Sequence, residues 1–169
     1  MGRWAVWMIL LTGVAICSEQ APDFDQYPVS EKWTGRAAAV RIASPHERMF
    51  QTRLRLAAKE PPNFAGHFRF TVWGCGSNCV SGAMVDLSNG MVYPSPFGTR
   101  PGDPAWNVCQ SAFDEDVVSY RVNSRLFVIR CGKTWIERLQ KNLPDVFYFV
   151  WRNGSFRELA HVRPSDSAR

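Results

Sequence analysis

The chain has 169 residues, 46% hydrophobic and 21% charged, with a formal net charge of +5. Its 12 Gly and 11 Pro are ordinary for a globular protein. They exclude a collagen, a low-complexity polymer and an intrinsically disordered chain. The length allows one domain with a core large enough to fold without a metal.

Residues 1–17 read MGRWAVWMILLTGVAIC. Arg3 precedes an apolar run from Trp4 to Ile16, and polar Ser18-Glu19-Gln20 follows. A helix rises about 1.5 Å per residue, so this run falls short of about 30 Å of hydrocarbon. We read it as a secretory signal peptide cut after Cys17 or one residue later. A lipidated Cys17 is the alternative, and the bulky Ile16 before it argues against that. An uncleaved anchor is a third option. No later run suits a membrane span, so none is expected after signal removal. The expected localisation is periplasmic or secreted.

Four cysteines remain beyond Cys17: Cys75, Cys79, Cys109 and Cys131. An even count in an exported chain points to two disulfides, with three connectivities open. We favour Cys75–Cys79 and Cys109–Cys131, which stabilise by about 2 and about 3.4 kcal/mol on the chain-entropy estimate. A zinc site from the C-x3-C pair and His67 lacks a second close pair of ligands. No metal and no cofactor is expected.

Residues 18–43 read as extended and irregular, with 37–42 (AAAVRI) as a short first strand. Ser44-Pro45-His46-Glu47 is a helix start: Ser44 caps, Pro45 needs no amide donor, and Glu47 reaches back to the cap. Phe50, Leu54, Ala57 and Ala58 then form one apolar face, and Glu60-Pro61-Pro62 ends the helix. Strands follow at 67–73, 80–86, 91–93, 117–122, 125–130, 146–151 and 155–162, with Asn153-Gly154 as the strongest hairpin signal. Residues 94–105 carry four prolines and two glycines and read as a long flap. Residues 133–143 fit either one helical turn or an irregular connection.

The order predicts an α+β fold: one N-terminal amphipathic helix packed on a curled, mainly antiparallel sheet of six to seven strands. The domain division is a signal peptide over 1–17, an extended segment over 18–43, a single α+β domain over 44–163 and a flexible tail over 164–169.

The densest stretch holds Asn63-Phe64-Ala65-Gly66-His67, then Trp73-Gly74-Cys75-Gly76-Ser77-Asn78-Cys79, then Asp86 and Gly90. It resembles a family of uncharacterised exported bacterial proteins that carry N-F-A-G-H, W-G-C-G-S/T-x-C and V-D-x-x-x-G motifs in this order. Ser124-Arg125-Leu126 and the aromatic final hairpin are also similar, so the resemblance covers roughly residues 45–160. It implies export and one domain, and it implies no activity. The Cys109 and Cys131 pair is not part of the pattern.

If 67–73 and 80–86 pair across a six-residue loop, His67 opposes Asp86 and Trp73 opposes Val80. His67, Arg69, Thr71, Trp73, Gly82 and Asp86 then share one face. A first reading makes this an exported binding or inhibitor-like domain without enzymatic activity. It contacts its ligand through Arg69, Thr71, Trp73, Ser77 and Asn78. Its partner is an unknown envelope or secreted macromolecule, and no nucleic-acid motif is present. The alternative is a periplasmic hydrolase acting on an envelope polymer, with His67 and Asp86 as acid and base. Against it, Asp commonly bonds backbone amides at a turn such as 87–90. A nucleophilic Cys75 is disfavoured by the disulfide and by more than about 15 Å of strand between Gly74 and His67. Asp114-Glu115-Asp116 lacks the alternating ligands of a calcium loop and reads as solvated.

Overall fold

A computed structural model describes residues 21–76, 79–96, 117–136 and 139–164. Two helices, α1 (Pro45–Met49) and α2 (Gln51–Ala57), precede seven strands. The strands are β1 (Phe68–Gly76), β2 (Cys79–Asp86), β3 (Val92–Pro94), β4 (Val118–Tyr120), β5 (Leu126–Ile136), β6 (Lys141–Arg152) and β7 (Ser155–Val162).

The expected single curled sheet is not what forms. The strands build two antiparallel sheets, β1-β2-β3 and β4-β5-β6-β7. The expected single helix is likewise two short ones, interrupted at Phe50 (φ −109°, ψ 13°). The physical reason lies in strands that are apolar on both faces. Two stacked sheets bury such strands as well as one curled sheet does, and the pattern alone does not choose.

The inner faces of the two sheets meet in an aromatic core. Phe68, Phe70 and Met84 from the first sheet pack with Phe127, Ile129, Phe147, Phe149 and Trp151 from the second. Ring centroids lie 4.9 Å apart for Phe70–Phe127 and 5.2 Å for Phe68–Trp151, both edge to face. Edge-to-face pairs gain beyond their buried area, because ring edges and faces carry opposite partial charge.

The other face of β1–β2 is covered by a third layer. Leu54 and Ala58 of α2 pack with Trp73, Ala83, Val85 and Leu87, and Trp33, Ala37, Val40, Ile42 and Phe50 lie against them. Residues 37–42 are irregular rather than the expected strand. They are still tied to the first sheet, because Ala38 N–H donates to the Leu87 carbonyl and Arg41 N–H to that of Gly90.

α1 starts as the sequence dictates. Ser44 Oγ accepts from Glu47 N–H, and the Glu47 carboxylate accepts from Ser44 N–H in return. The stretch 24–29 closes the fold from the far end of the chain. The buried Ser124 hydroxyl donates to the carbonyls of Phe24 and Tyr27, at 2.7 and 3.1 Å, and accepts from Leu126 N–H. Around it, Val29 N–H donates to Asn123 and Arg125 N–H to Tyr27.

Three substitutions rank these layers in urea unfolding. Ser44→Ala is expected to cost about 1 kcal/mol through unpaired amides at the helix start. Leu54→Ala is expected to cost about 2–5 kcal/mol, and Phe64→Ala, at the centre of the aromatic core, about 3–5 kcal/mol. A Phe64→Ala loss no larger than that of Ser44→Ala would contradict the layering described.

Candidate functional site

The turn that leads into β1 is built by Asn63-Phe64-Ala65-Gly66-His67. Asn63 acts as a surrogate strand: its Oδ1 accepts from Phe70 N–H at 2.7 Å and its Nδ2 donates to the Phe70 carbonyl at 3.0 Å. Phe64 is fully buried and packs among Phe68, Tyr120, Phe127 and Phe156. Gly66 has φ +84°, and a Cβ there would collide with the Glu31 carbonyl, so glycine is required. His67 emerges next, its ring beside that of Phe68 at 4.1 Å.

The β1–β2 register differs from the expected one by a single residue. Asp86 lies opposite Phe68 rather than His67, and Trp73 opposite Ser81 rather than Val80. The reason is that β1 continues to Gly76 and β2 begins at Cys79, with an irregularity between Gly74 and Gly76. A one-residue slip exchanges the faces of one strand relative to the other. Arg69, Thr71 and Trp73 therefore share a face with Ser81, Ala83 and Val85, while Gly82 and Asp86 fall on the opposite one. The expected shared face of His67, Arg69, Thr71, Trp73, Gly82 and Asp86 does not form.

His67 and Asp86 still approach one another, with Nε2 3.7 Å from Oδ2. The Asp86 carboxylate is already engaged, however. Oδ1 accepts from Ser88 N–H at 2.9 Å and from the Ser88 hydroxyl, and Oδ2 accepts from Asn89 Nδ2 at 2.8 Å. Gly90 N–H donates to the Asp86 carbonyl, and a Cβ on Gly90 would strike the Ala39 carbonyl. Asp86 and Gly90 thus hold the 87–90 turn and dock residues 39–41 against it.

The face bearing Arg69, Thr71 and Trp73 lies under the helical layer. Trp73 is 4% exposed, with its ring 4.9 Å from that of Phe50. Arg69 and Thr71 are half-buried, and Arg69 donates to the Pro61 carbonyl. Arg69 Nε, Trp73 Nε1 and Ser81 Oγ are buried with no hydrogen-bond partner. Ser77 and Asn78 lie outside the described residues.

Of the cysteines, Cys131 is buried and disulfide-bonded. Cys109 lies outside the described residues, as do the side chains of Cys75 and Cys79, and so does the 1–17 segment. Among the described residues no group of three His, Cys, Asp or Glu is placed to hold a metal. No described helix is long and apolar enough to cross a membrane.

A second His–Asp pair was not expected from the sequence. His161 Nε2 lies 3.1 Å from Asp145 Oδ2, a hydrogen bond, and Arg163 Nε lies 3.7 Å from the same oxygen. The imidazole stacks on Phe147 at 3.9 Å. This orients a histidine between a buried carboxylate and an aromatic ring. The signal that hides it is a register shift between Tyr148 and Phe149, which places His161 opposite Phe147. Two described clefts, of about 370 Å³ beside Trp33 and Pro61 and about 210 Å³ between Pro94 and Phe156, are lined by neither pair.

No known family, curated protein or solved structure matches the chain.

Two predictions follow from this geometry. Asp86→Ala is expected to cost about 1–3 kcal/mol by stranding its turn donors, whereas His67→Gln stays within about 0.5 kcal/mol. Equal losses in thermal unfolding would place the histidine in the turn network as well. The second prediction concerns Tyr120, which packs on Phe64, Phe70 and Phe127. Burial raises its pKa above 10.0, and the positive charge of Arg69 opposes this only in part. The unfolded chain therefore loses this proton first, so stability is full below pH 10 and falls as pH rises further. Tyr120→Phe should remove that part of the alkaline loss. An identical alkaline profile for both proteins would refute the assignment.

Proposed function

We propose that the protein is an exported, disulfide-tied binding domain rather than an enzyme. The observation that carries the choice is the engagement of Asp86 by its own turn. A carboxylate that already accepts from Ser88 and Asn89 is a poor partner for proton transfer with His67. The hydrolase alternative needs that carboxylate hydrogen-bonded to His67, and the two lie 3.7 Å apart.

The binding reading draws support from the β1 face that carries Arg69, Thr71 and Trp73. Arg69 and Thr71, both half-buried, are the accessible members, and Trp73 forms the floor. Ser77 and Asn78 follow directly in sequence and extend the proposed contact. The partner is a macromolecule of the envelope or of the secreted milieu. The signal peptide over 1–17 and the pairs Cys75–Cys79 and Cys109–Cys131 belong to this proposal. A disulfide-bonded Cys131 is compatible with the second pair.

The test has three readouts. Residues 1–30 fused to a reporter active only after export should yield activity. Non-reducing peptide mapping of the exported protein should find the two stated cysteine pairs. Capture of partner from envelope extract should weaken with Arg69→Ala and persist with His67→Gln. Loss of a hydrolytic activity on envelope polymer with His67→Gln and Asp86→Asn would instead establish the enzyme.

A further inference from the structure

The third layer, residues 33–60 with α1 and α2, carries most of the net positive charge of the chain. Residues 33–60 hold six basic residues (Arg36, Arg41, Arg48, Arg53, Arg55 and Lys59) against two acidic ones, Glu47 and Glu60. That is a net +4 out of the +5 of the whole chain. All six basic residues are exposed. Among the described residues none of them enters an ion pair. The Glu47 carboxylate, already counted in that total, accepts from the amides of Ala43 and Ser44 and pairs with none of the basic residues.

The two helices of this layer also display two large apolar side chains. Met49 is 74% exposed and Leu56 56% exposed, the two highest values among the large hydrophobic residues described. Met49 ends α1 and Leu56 lies on α2, on either side of the break at Phe50. The inward side of the same helices is spent on the core through Leu54, Ala57 and Ala58. Met49 and Leu56 therefore add nothing to folding where they stand.

We propose that this layer docks on an anionic phospholipid surface. Charge complementarity selects an anionic partner, and the two exposed apolar side chains select a layered one. At a bilayer interface, apolar tips reach the acyl boundary while long Arg and Lys stems hold their charges at the headgroups. A polyanion without an apolar layer satisfies the cations and leaves Met49 and Leu56 in water. The inference goes beyond the binding reading above: it uses a different face, and it requires neither the β1–β2 face nor His67.

Vesicle co-sedimentation tests it, with protein as secreted from its expression host. Any leader retained is then common to wild type and variants. Vesicles of phosphatidylglycerol with phosphatidylcholine are compared with phosphatidylcholine alone at about 0.1 M salt. Each basic residue near an anionic surface contributes roughly a fivefold factor. Wild type should prefer the anionic vesicles by about tenfold or more. The double variant Arg53→Glu/Arg55→Glu should lose that preference, and Met49→Ser/Leu56→Ser should weaken it severalfold. All four residues are exposed, so unfolding temperatures should stay unchanged and any loss reads on binding. Equal retention of wild type on both vesicle types overturns the inference, as does an unaltered preference in either variant. Tight binding to polyaspartate that survives Met49→Ser/Leu56→Ser also overturns it, in favour of an acidic macromolecule.

Discussion

Phe64 joins both sheets in the aromatic interior. Its ring meets Phe68 at the start of β1, Tyr120 on β4, Phe127 on β5 and Phe156 on β7. It comes from a turn rather than from either sheet, so it reaches the interior only if that turn is held rigidly. Asn63 supplies the hold from one side through the Phe70 peptide, and Gly66 from the other by letting the Glu31 backbone approach. Gly66 N–H and Ala65 N–H then donate to the carbonyls of Val122 and Arg121, which tie the same turn to the loop before β5. Sheet stacking, the placement of β1 and the seating of the N-terminal segment all depend on this five-residue constraint.

Motifs that look chemical in the sequence therefore turn out to answer backbone demands. Asn63, Gly66, Asp86 and Gly90 each sit where a peptide group must be paired or a Cβ must be missing. Ser124 does the same for the incoming chain at 24–28. A histidine beside a carboxylate is common chemistry in active sites, but its meaning depends on what else the carboxylate holds. Asp86 accepts three hydrogen bonds from Ser88 and Asn89, within three residues of its own position. The pair at His161 and Asp145 has a different character, because the carboxylate lies on one strand and the imidazole on the next.

How much of this was legible in the sequence varied with the range of the interaction. The Ser44–Glu47 capping box is local, and it forms in full. The Asn153-Gly154 turn is local too, with φ of +50° and +77° at the two residues, as a tight hairpin requires. Register was harder. Trp73 lies against Ser81 rather than Val80 because the connection is shorter than its glycines suggest, and an irregularity at Gly74–Gly76 absorbs the difference. The shift at Tyr148–Phe149 likewise hides His161 from Asp145. An extra residue in a ladder leaves no trace in hydrophobic alternation until the two strands are laid side by side. Division into two sheets was out of reach for a related reason. Leu126, Val128 and Val150 are buried as completely as Phe127 and Phe149, so apolarity marks the central strands without naming what covers each face.

The Ser124 clamp bears on how the chain comes together in time. Its hydroxyl binds the Phe24 carbonyl across 100 residues and the Tyr27 carbonyl across 97. Contacts of such separation close late, because loop entropy must be overcome before they stabilise anything. During synthesis at about 5–20 residues per second, the 24–28 stretch waits roughly 5–20 s before Ser124 exists. Through that interval Val29 has no Asn123 to meet, and Trp33 cannot yet bond to Gly66, whose own turn awaits Arg121 and Val122. The 24–33 stretch is thus left without these partners until the loop before β5 is made, and a chaperone can hold it over that interval without having to unfold anything.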